Sequence, residues 1–345
     1  MRLRRAVLGC ALLFALAGCR LRRHHHGYDA GVVTAPAAVA LADDDAGADD
    51  AASPEPSLSA DPTAMRGFSL HKSGCDGGDT DSCVSLGLDY ERGTGVAKDM
   101  QKAVALYERA CVAKNTTGCY DRALIAFHAK DYAIAMTDFT MACKGEDMDA
   151  CAMLGRMYRD GQGVAKDESA GAGFFKRSCD KGNGYGCNSL GLMFEEGRGV
   201  RKDETRAFAV YRTACSSGNE MGCYNVARCQ EYGKGTSIDV AAARKLYKSA
   251  CDAREGLACA GLGVLYEKGK GVMPDQTRAN DLYERGCNLE SATGCRYLAM
   301  SYEHGMAVTK DENRALALYK RACDGDDSDA CTDYGTLKRK MSGQP

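Results

Sequence analysis

Cys83 to Cys111 reads CVSLGLDYERGTGVAKDMQKAVALYERAC. The pattern returns as CNSLGLMFEEGRGVRKDETRAFAVYRTAC from Cys187 and as CAGLGVLYEKGKGVMPDQTRANDLYERGC from Cys259. Repetition at a period in the mid-thirties is the mark of solenoids built from helical pairs. Each copy reads as two helices. Helix A begins at the leading cysteine and places Leu86, Gly87 and Tyr90 three, four and seven residues on, which is one face of a helix. Gly93 stops it and Gly95 follows, glycines suited to a left-handed cap and a tight turn. Asp99 is a natural N-cap for helix B, whose apolar stripe is Ala103, Leu106, Tyr107 and Ala110. Small Gly87 and Ala103 let neighbouring backbones approach, and Tyr90 and Tyr107 fill the space between helices.

The cysteines keep the same rhythm. They fall in pairs, always as C-x7-C: Cys75 and Cys83, Cys111 and Cys119, Cys143 and Cys151, Cys179 and Cys187. Then come Cys215 and Cys223, Cys251 and Cys259, Cys287 and Cys295, and Cys323 and Cys331. Successive pairs are 36 residues apart except for one interval of 32, from Cys111 to Cys143. Of the 19 cysteines only Cys10, Cys19 and Cys229 stand outside this scheme. Unit two, Cys119 to Cys143, lacks the Gly-x-Gly loop, and its deletion lies there. Met306-Ala307 replaces the Gly-rich loop in unit seven, and Gln230 stands where unit five should have its tyrosine.

Motif, period and cysteine spacing together resemble the Sel1-like repeat family, relatives of tetratricopeptide repeats, and in particular its cysteine-rich Hcp-type branch. The resemblance covers residues 64–340. It implies an all-α, right-handed α/α solenoid of seven full units between a leading half-unit (Met65 to Cys75) and a trailing one (Asp329 to about Lys340). Two pairings are open to the cysteines. The one ending helix B can meet the one starting the next helix A, or the one starting its own helix A 28 residues back. The short spacing survives beside the deletion, where 28 becomes 24, and only the short pairing uses all sixteen cysteines; the long one strands Cys75 and Cys331. Disulfides across the short loops are therefore expected, each adding roughly 2–3 kcal/mol by loop entropy. C-x7-C is not the C-x2-C of zinc sites, so no metal is expected. Cys229 is expected to be a free, partly buried thiol.

The N-terminus supplies the compartment. Basic Met1 to Arg5 precedes a run of 12 apolar residues, Ala6 to Ala17, too short to span a bilayer as a helix but suited to a signal-peptide core. Leu16-Ala17-Gly18-Cys19 resembles the bacterial lipobox, which implies a signal peptide at 1–18 and a lipid on Cys19. The membrane is then met by acyl chains alone. Residues 19–63 read as a disordered tether of low hydrophobicity, reaching roughly 35–40 Å, with His24, His25 and His26 solvated near the headgroups. Arg20 after the cysteine favours an outer-membrane lipoprotein of a diderm bacterium, facing the periplasm or the cell surface.

Lys+Arg 45 against Asp+Glu 47 gives a net charge of -2, with no basic footprint for nucleic acid. Relatives in the Hcp-type branch are sometimes labelled penicillin-binding or β-lactamase proteins, and a weak β-lactamase or cell-wall hydrolase is the alternative function the resemblance implies. Two S-x-x-K matches exist, Ser69 to Lys72 and Ser178 to Lys181, but neither S-D-N nor K-T-G accompanies them. His71, His128 and His304 are isolated, and the recurrent G-x-G-V follows a helix rather than a strand. Neither a catalytic residue nor a cofactor is assigned. Glu91 with Arg109, Glu267 with Arg285 and Glu303 with Arg321 read as inter-helix ion pairs on a solvated face. A solenoid holds protein or peptide ligands on its concave surface, and in similar families helix A lines it. Helix A positions two, six and nine residues after the cysteine vary between units. On this face Met153, Met157, Met193, Tyr232, Leu265 and Tyr297 are expected to form an adaptable protein-binding groove. The chain therefore reads as a cell-envelope lipoprotein scaffold for other proteins.

Overall fold

The computed structural model describes residues 61–343. The signal segment, Cys10, the lipidation site Cys19 and the tether as far as residue 60 lie outside the described residues. Sixteen α-helices follow one another, with no strand among the described residues. Helix α1 (Pro62–Asp76) is the leading half-unit and α16 (Ser328–Ser342) the trailing one. Between them lie seven A/B pairs: α2 (Thr80–Arg92) with α3 (Met100–Val112), α4 (Thr116–His128) with α5 (Tyr132–Lys144), α6 (Met148–Asp160) with α7 (Glu168–Asp180), and α8 (Gly184–Glu196) with α9 (Glu204–Ser216). Then come α10 (Glu220–Tyr232) with α11 (Val240–Asp252), α12 (Gly256–Lys268) with α13 (Gln276–Asn288), and α14 (Ala292–His304) with α15 (Glu312–Asp324).

Eight disulfides close the C-x7-C pairs. Cys75 is bonded to Cys83, Cys111 to Cys119, Cys143 to Cys151 and Cys179 to Cys187. Further along, Cys215 is bonded to Cys223, Cys251 to Cys259, Cys287 to Cys295 and Cys323 to Cys331. Their Cα–Cα separations of 4.4–4.7 Å fall at the short end of the range disulfides occupy. Each clips the end of one helix B to the start of the next helix A.

One boundary is corrected. Cys151, Cys223 and Cys295 do not open their A helices, which begin three residues earlier at Met148, Glu220 and Ala292. The same shift holds for the other leading cysteines, because an N-cap stands ahead of each. Asp79, Asn115, Asp147, Asn183, Asn219 and Ser291 each accept a backbone N–H of the first turn through the side chain. The residue just before the cap is left-handed at every junction, and at Lys114, Glu146, Arg254, Glu290 and Asp326 it is not glycine.

Within a unit the two helices touch at helix A's small residue. A Cβ on Gly87 would lie 2.6 Å from the Tyr107 ring, and one on Gly191 only 2.4 Å from the Tyr211 ring. The ring is buried, and its hydroxyl needs a partner. Tyr107 donates to Glu91 at 2.7 Å, Tyr247 to Glu231 at 3.0 Å, Tyr283 to Glu267 at 2.5 Å and Tyr319 to Glu303 at 2.8 Å. Burial first, and the carboxylate beside it, raise these phenols far above the ordinary tyrosine range. Where the ring is Phe175 the glutamate gives way to Arg159, stacked 5.8 Å from the ring centroid. This corrects the reading of Glu91 with Arg109, Glu267 with Arg285 and Glu303 with Arg321 as ion pairs: the glutamates serve tyrosine hydroxyls. Arg109 and Arg285 instead donate to the carbonyls of Cys75 and Cys251, both at 2.8 Å.

The Gly-x-Gly loop caps the preceding unit. A Cβ on Gly235 would lie 2.0 Å from the Glu204 carbonyl oxygen at the start of α9, and one on Gly95 would lie 2.5 Å from that of Ala64. Unit two dispenses with the loop, and Met100, at the start of the helix B that it would cover, is 37% exposed. Unit seven keeps the loop geometry despite its sequence, because Ala307 takes φ +52° at the position of Gly95.

Two outcomes follow. Replacing Cys251 and Cys259 together by serine lowers stability by roughly 2–3 kcal/mol, read as the shift in urea midpoint of that part of the array. Ala307→Gly removes left-handed strain and raises the thermal midpoint, by an amount equivalent to about 0.5–1 kcal/mol after the entropy glycine returns to the unfolded chain.

Candidate functional site

Adjacent A helices approach one another directly along the array, α6 with α8, α8 with α10, α10 with α12 and α12 with α14, whereas among the B helices only α7 and α9 do so to the same degree. The array therefore bends toward the A helices, and they form its inner face. Helix A packs against its own B helix, the previous B helix and the A helices on either side. That crowding decides which variable positions are open.

Four of the six residues expected on an open groove are enclosed. Met153 and Met157 lie in the core around Phe139, Met193 packs in the core around Phe175 and Leu190, and Leu265 in the core around Tyr247 and Leu262; none is more than 2% exposed. The sixth position after the cysteine turns into the joint between units, as Ser301 shows by donating to Asn280 of the preceding helix B at 2.7 Å. The second position meets the neighbouring A helix, where Asn225 donates to Asn188 at 2.8 Å. The ninth, at the helix end, stays open: Tyr232 is 51% exposed.

Tyr232 and Tyr297 remain, and the structure adds Tyr224 and Lys270 to them. Lys270 sits 4.7 Å above the Tyr232 ring centroid and donates to Glu231 at 2.8 Å. Half-buried Tyr297 packs 5.1 Å from Tyr283, and Tyr224 lies 5.7 Å from Tyr247. Burial first, then the Glu231 carboxylate, push Tyr232 up to about 12. Tyr224 and Tyr232 of unit five and Tyr297 of unit seven thus stand on A helices with unit six between them, and burial first keeps all three phenols neutral at physiological pH. Beside them Glu195 takes Lys234 at 3.1 Å, Arg228 and the Tyr211 hydroxyl at 2.9 Å. Arg228 Nε and Gln230 Oε1, both on α10, are buried without a hydrogen-bond partner. Tyr224 was missed because it stands next to the clipped Cys223, where the other units vary. Lys270 was missed because its loop was read as a turn alone.

The groups considered for chemistry are otherwise engaged. Ser178 is fully buried and donates to the Met148 carbonyl at 2.8 Å; Ser69 donates to that of Met65 at 2.9 Å, while Lys72 pairs with Asp76 at 3.0 Å. His71 lies 2.7 Å from Asp89. Cys229 is a free thiol, more buried than expected, and burial pushes it up to about 11, away from the reactive thiolate. Among the described residues no cluster of His, Cys, Asp or Glu could hold a metal ion, and no helix is long and apolar enough to cross a membrane.

The Sel1 repeat pattern matches residues 80–111, 149–183, 184–219, 221–254, 256–291 and 292–327, leaving out the loopless unit two. Among solved structures, a protective antigen of uropathogenic Escherichia coli with an SLR fold is similar at 24% identity and TM-score 0.59, over 79% of this chain and 60% of that one. A Sel1 repeat protein from Oxalobacter formigenes is similar at 26% identity and TM-score 0.57, over 64% of this chain and 90% of that one. Helicobacter pylori cysteine rich protein B is 29% identical over 38% of this chain and 94% of its own, with a TM-score of 0.32. The chain spans about 60% of the length of the E. coli antigen. No curated protein matches.

Burial pushes the Glu195 carboxyl up, but Arg228, Lys234 and Tyr211 more than offset this and leave it below its ordinary 4.5. A depressed carboxylate stabilises the fold above its unfolded pKa and loses that contribution as pH falls through the folded one. Glu195→Gln is therefore less stable than the parent at pH 7, and the gap closes below pH 4.5 in melts recorded across pH.

Proposed function

We propose that this chain, which belongs to the Sel1 repeat family, is a protein-binding scaffold of the bacterial cell envelope that holds a partner segment on its inner face. The observation that carries the reading is the exposed Tyr232 ring at the end of α10, with Lys270 4.7 Å over it, on the same inner row of A helices as half-buried Tyr297. Aromatic side chains that combine a rigid apolar body with a polar tip are the usual anchors of interfaces. The groove is tyrosine-rich and polar rather than methionine-lined, so it suits an extended segment with hydrogen-bonding side chains.

Eight disulfides suggest an oxidising, extracytoplasmic setting. The basic-apolar-LAGC start supports a finer layout: a signal at 1–18, a lipid on Cys19, and a tether from residue 19 that gives way to the array, expected at 64–340 and begun two residues earlier by α1 at Pro62, the whole attached to the outer membrane by acyl chains. In this reading the protein positions partners and carries out no reaction of its own.

Crosslinking in intact cells, followed by mass spectrometry, identifies the partner. The Tyr232→Ala variant then weakens its capture at least tenfold while leaving the melt unchanged, since that ring is 51% exposed, whereas Tyr297→Ala weakens capture and also lowers the melt, since its ring packs on Tyr283. Equal capture by the Tyr232→Ala variant would contradict the inner-face reading. Separately, Cys19→Ala moves the protein from the membrane to the soluble fraction; retention in the membrane would contradict the lipid anchor.

A further inference from the structure

The outer side of the array carries a second surface. Between α11 and α13 a groove of about 400 Å³ is floored by Leu262, Tyr266 and Leu282. Its walls carry five cations, Arg244, Lys245 and Lys248 from α11 and Arg278 and Arg285 from α13, against one carboxylate, Asp252. Asp252 is shared between Lys248 at 2.5 Å and Arg285 at 3.3 Å, and Arg278 lies over the Tyr266 ring at 4.5 Å. Arg244 and Lys245 pair with no carboxylate among the described residues.

The repeat itself shows that packing does not demand this charge. Unit one has Val104, Ala105 and Glu108 at the positions of Arg244, Lys245 and Lys248, and unit six has Asn280, Asp281 and Glu284. In the next groove along, Arg314 is answered from within the array by Glu284 at 3.4 Å. In the α11–α13 groove the single carboxylate Asp252 answers Lys248 and Arg285 only, so the charge of Arg244 and Lys245 is left for something anionic. A bare phosphate would use the walls and leave the apolar floor wet.

We propose that the groove between α11 and α13 docks an acidic segment of a partner protein, with carboxylates on Arg244, Lys245 and Lys248 and an apolar side chain on Leu262 and Leu282. Charge complementarity sets orientation and rate, and the floor supplies burial. The walls of the site belong to the B helices α11 and α13 and its floor to Leu262 and Tyr266 of α12, and none of the inner-face residues Tyr224, Tyr232, Tyr297 and Lys270 lines it.

Fluorescence anisotropy on the full oxidised chain tests it, using a fluorescein-labelled peptide of alternating glutamate and leucine. Saturable binding is expected, with none for an alternating lysine–leucine peptide. The variant Arg244→Glu/Lys245→Glu/Lys248→Glu should weaken it at least tenfold, and the corresponding glutamine variant several-fold, which guards against misfolding of the first. Arg314→Glu and the Tyr232→Ala variant should bind as the parent does, so failure of the inner-face reading leaves this outcome untouched. Equal binding by parent and charge-reversed protein would overturn the proposal, as would equally effective competition by inorganic tripolyphosphate, which would make this an anion site only.

Discussion

A covalent bond closed over seven intervening residues sets how each helical pair hands the chain to the next. The clip leaves room for three events only: helix B ends, one residue turns left-handed, and an N-cap opens helix A. Glycine is not required for the left-handed step, as Lys114 and Arg254 show. Arginines on helix B reach back 34 residues to the carbonyl of the previous clip. The covalent joint is thus also a hydrogen-bonding joint, and one unit's orientation is referred to its predecessor.

Inside each unit the constraint is steric. An aromatic ring on helix B occupies the volume that a side chain on helix A would need, so helix A carries Gly87, Gly155, Gly191 and Gly263, or an alanine such as Ala227 and Ala299. The ring's hydroxyl then dictates a glutamate, and loss of the hydroxyl releases that position, as Phe175 with Arg159 shows. Those glutamates face the inner side and draw basic partners from the following unit, Lys234 to Glu195 and Lys270 to Glu231. The charged surface on which a partner would settle is therefore a by-product of how a buried phenol is satisfied.

Much of this was written in the sequence. The cysteine rhythm specified the units and their clips, Gly93 and Asp99 marked a helix end and a helix start, and the deletion located the missing loop. The cysteine itself was a poor marker of where helix A begins, since the capping residue four positions ahead of it sets that boundary. The open surface was not legible. A helical wheel for helix A distinguishes the side facing its own B helix from the rest, but it contains no neighbour two helices away. Met157, Met193 and Leu265 look exposed on that wheel, yet they are enclosed by the previous unit. The placing of Tyr232 and Tyr297 along one inner row of A helices depends on the bend of the array, which no local pattern encodes. The glutamate–arginine scatter misled for a related reason, since each residue answers a partner on a different element.

The account stands or falls on the short pairing of cysteines across units. Peptide mapping by mass spectrometry under non-reducing conditions measures it directly. The account predicts eight links, each between cysteines eight residues apart, with Cys229 alone as a thiol among the array cysteines. Links such as Cys83 to Cys111, or reduced thiols at the paired positions, would contradict it.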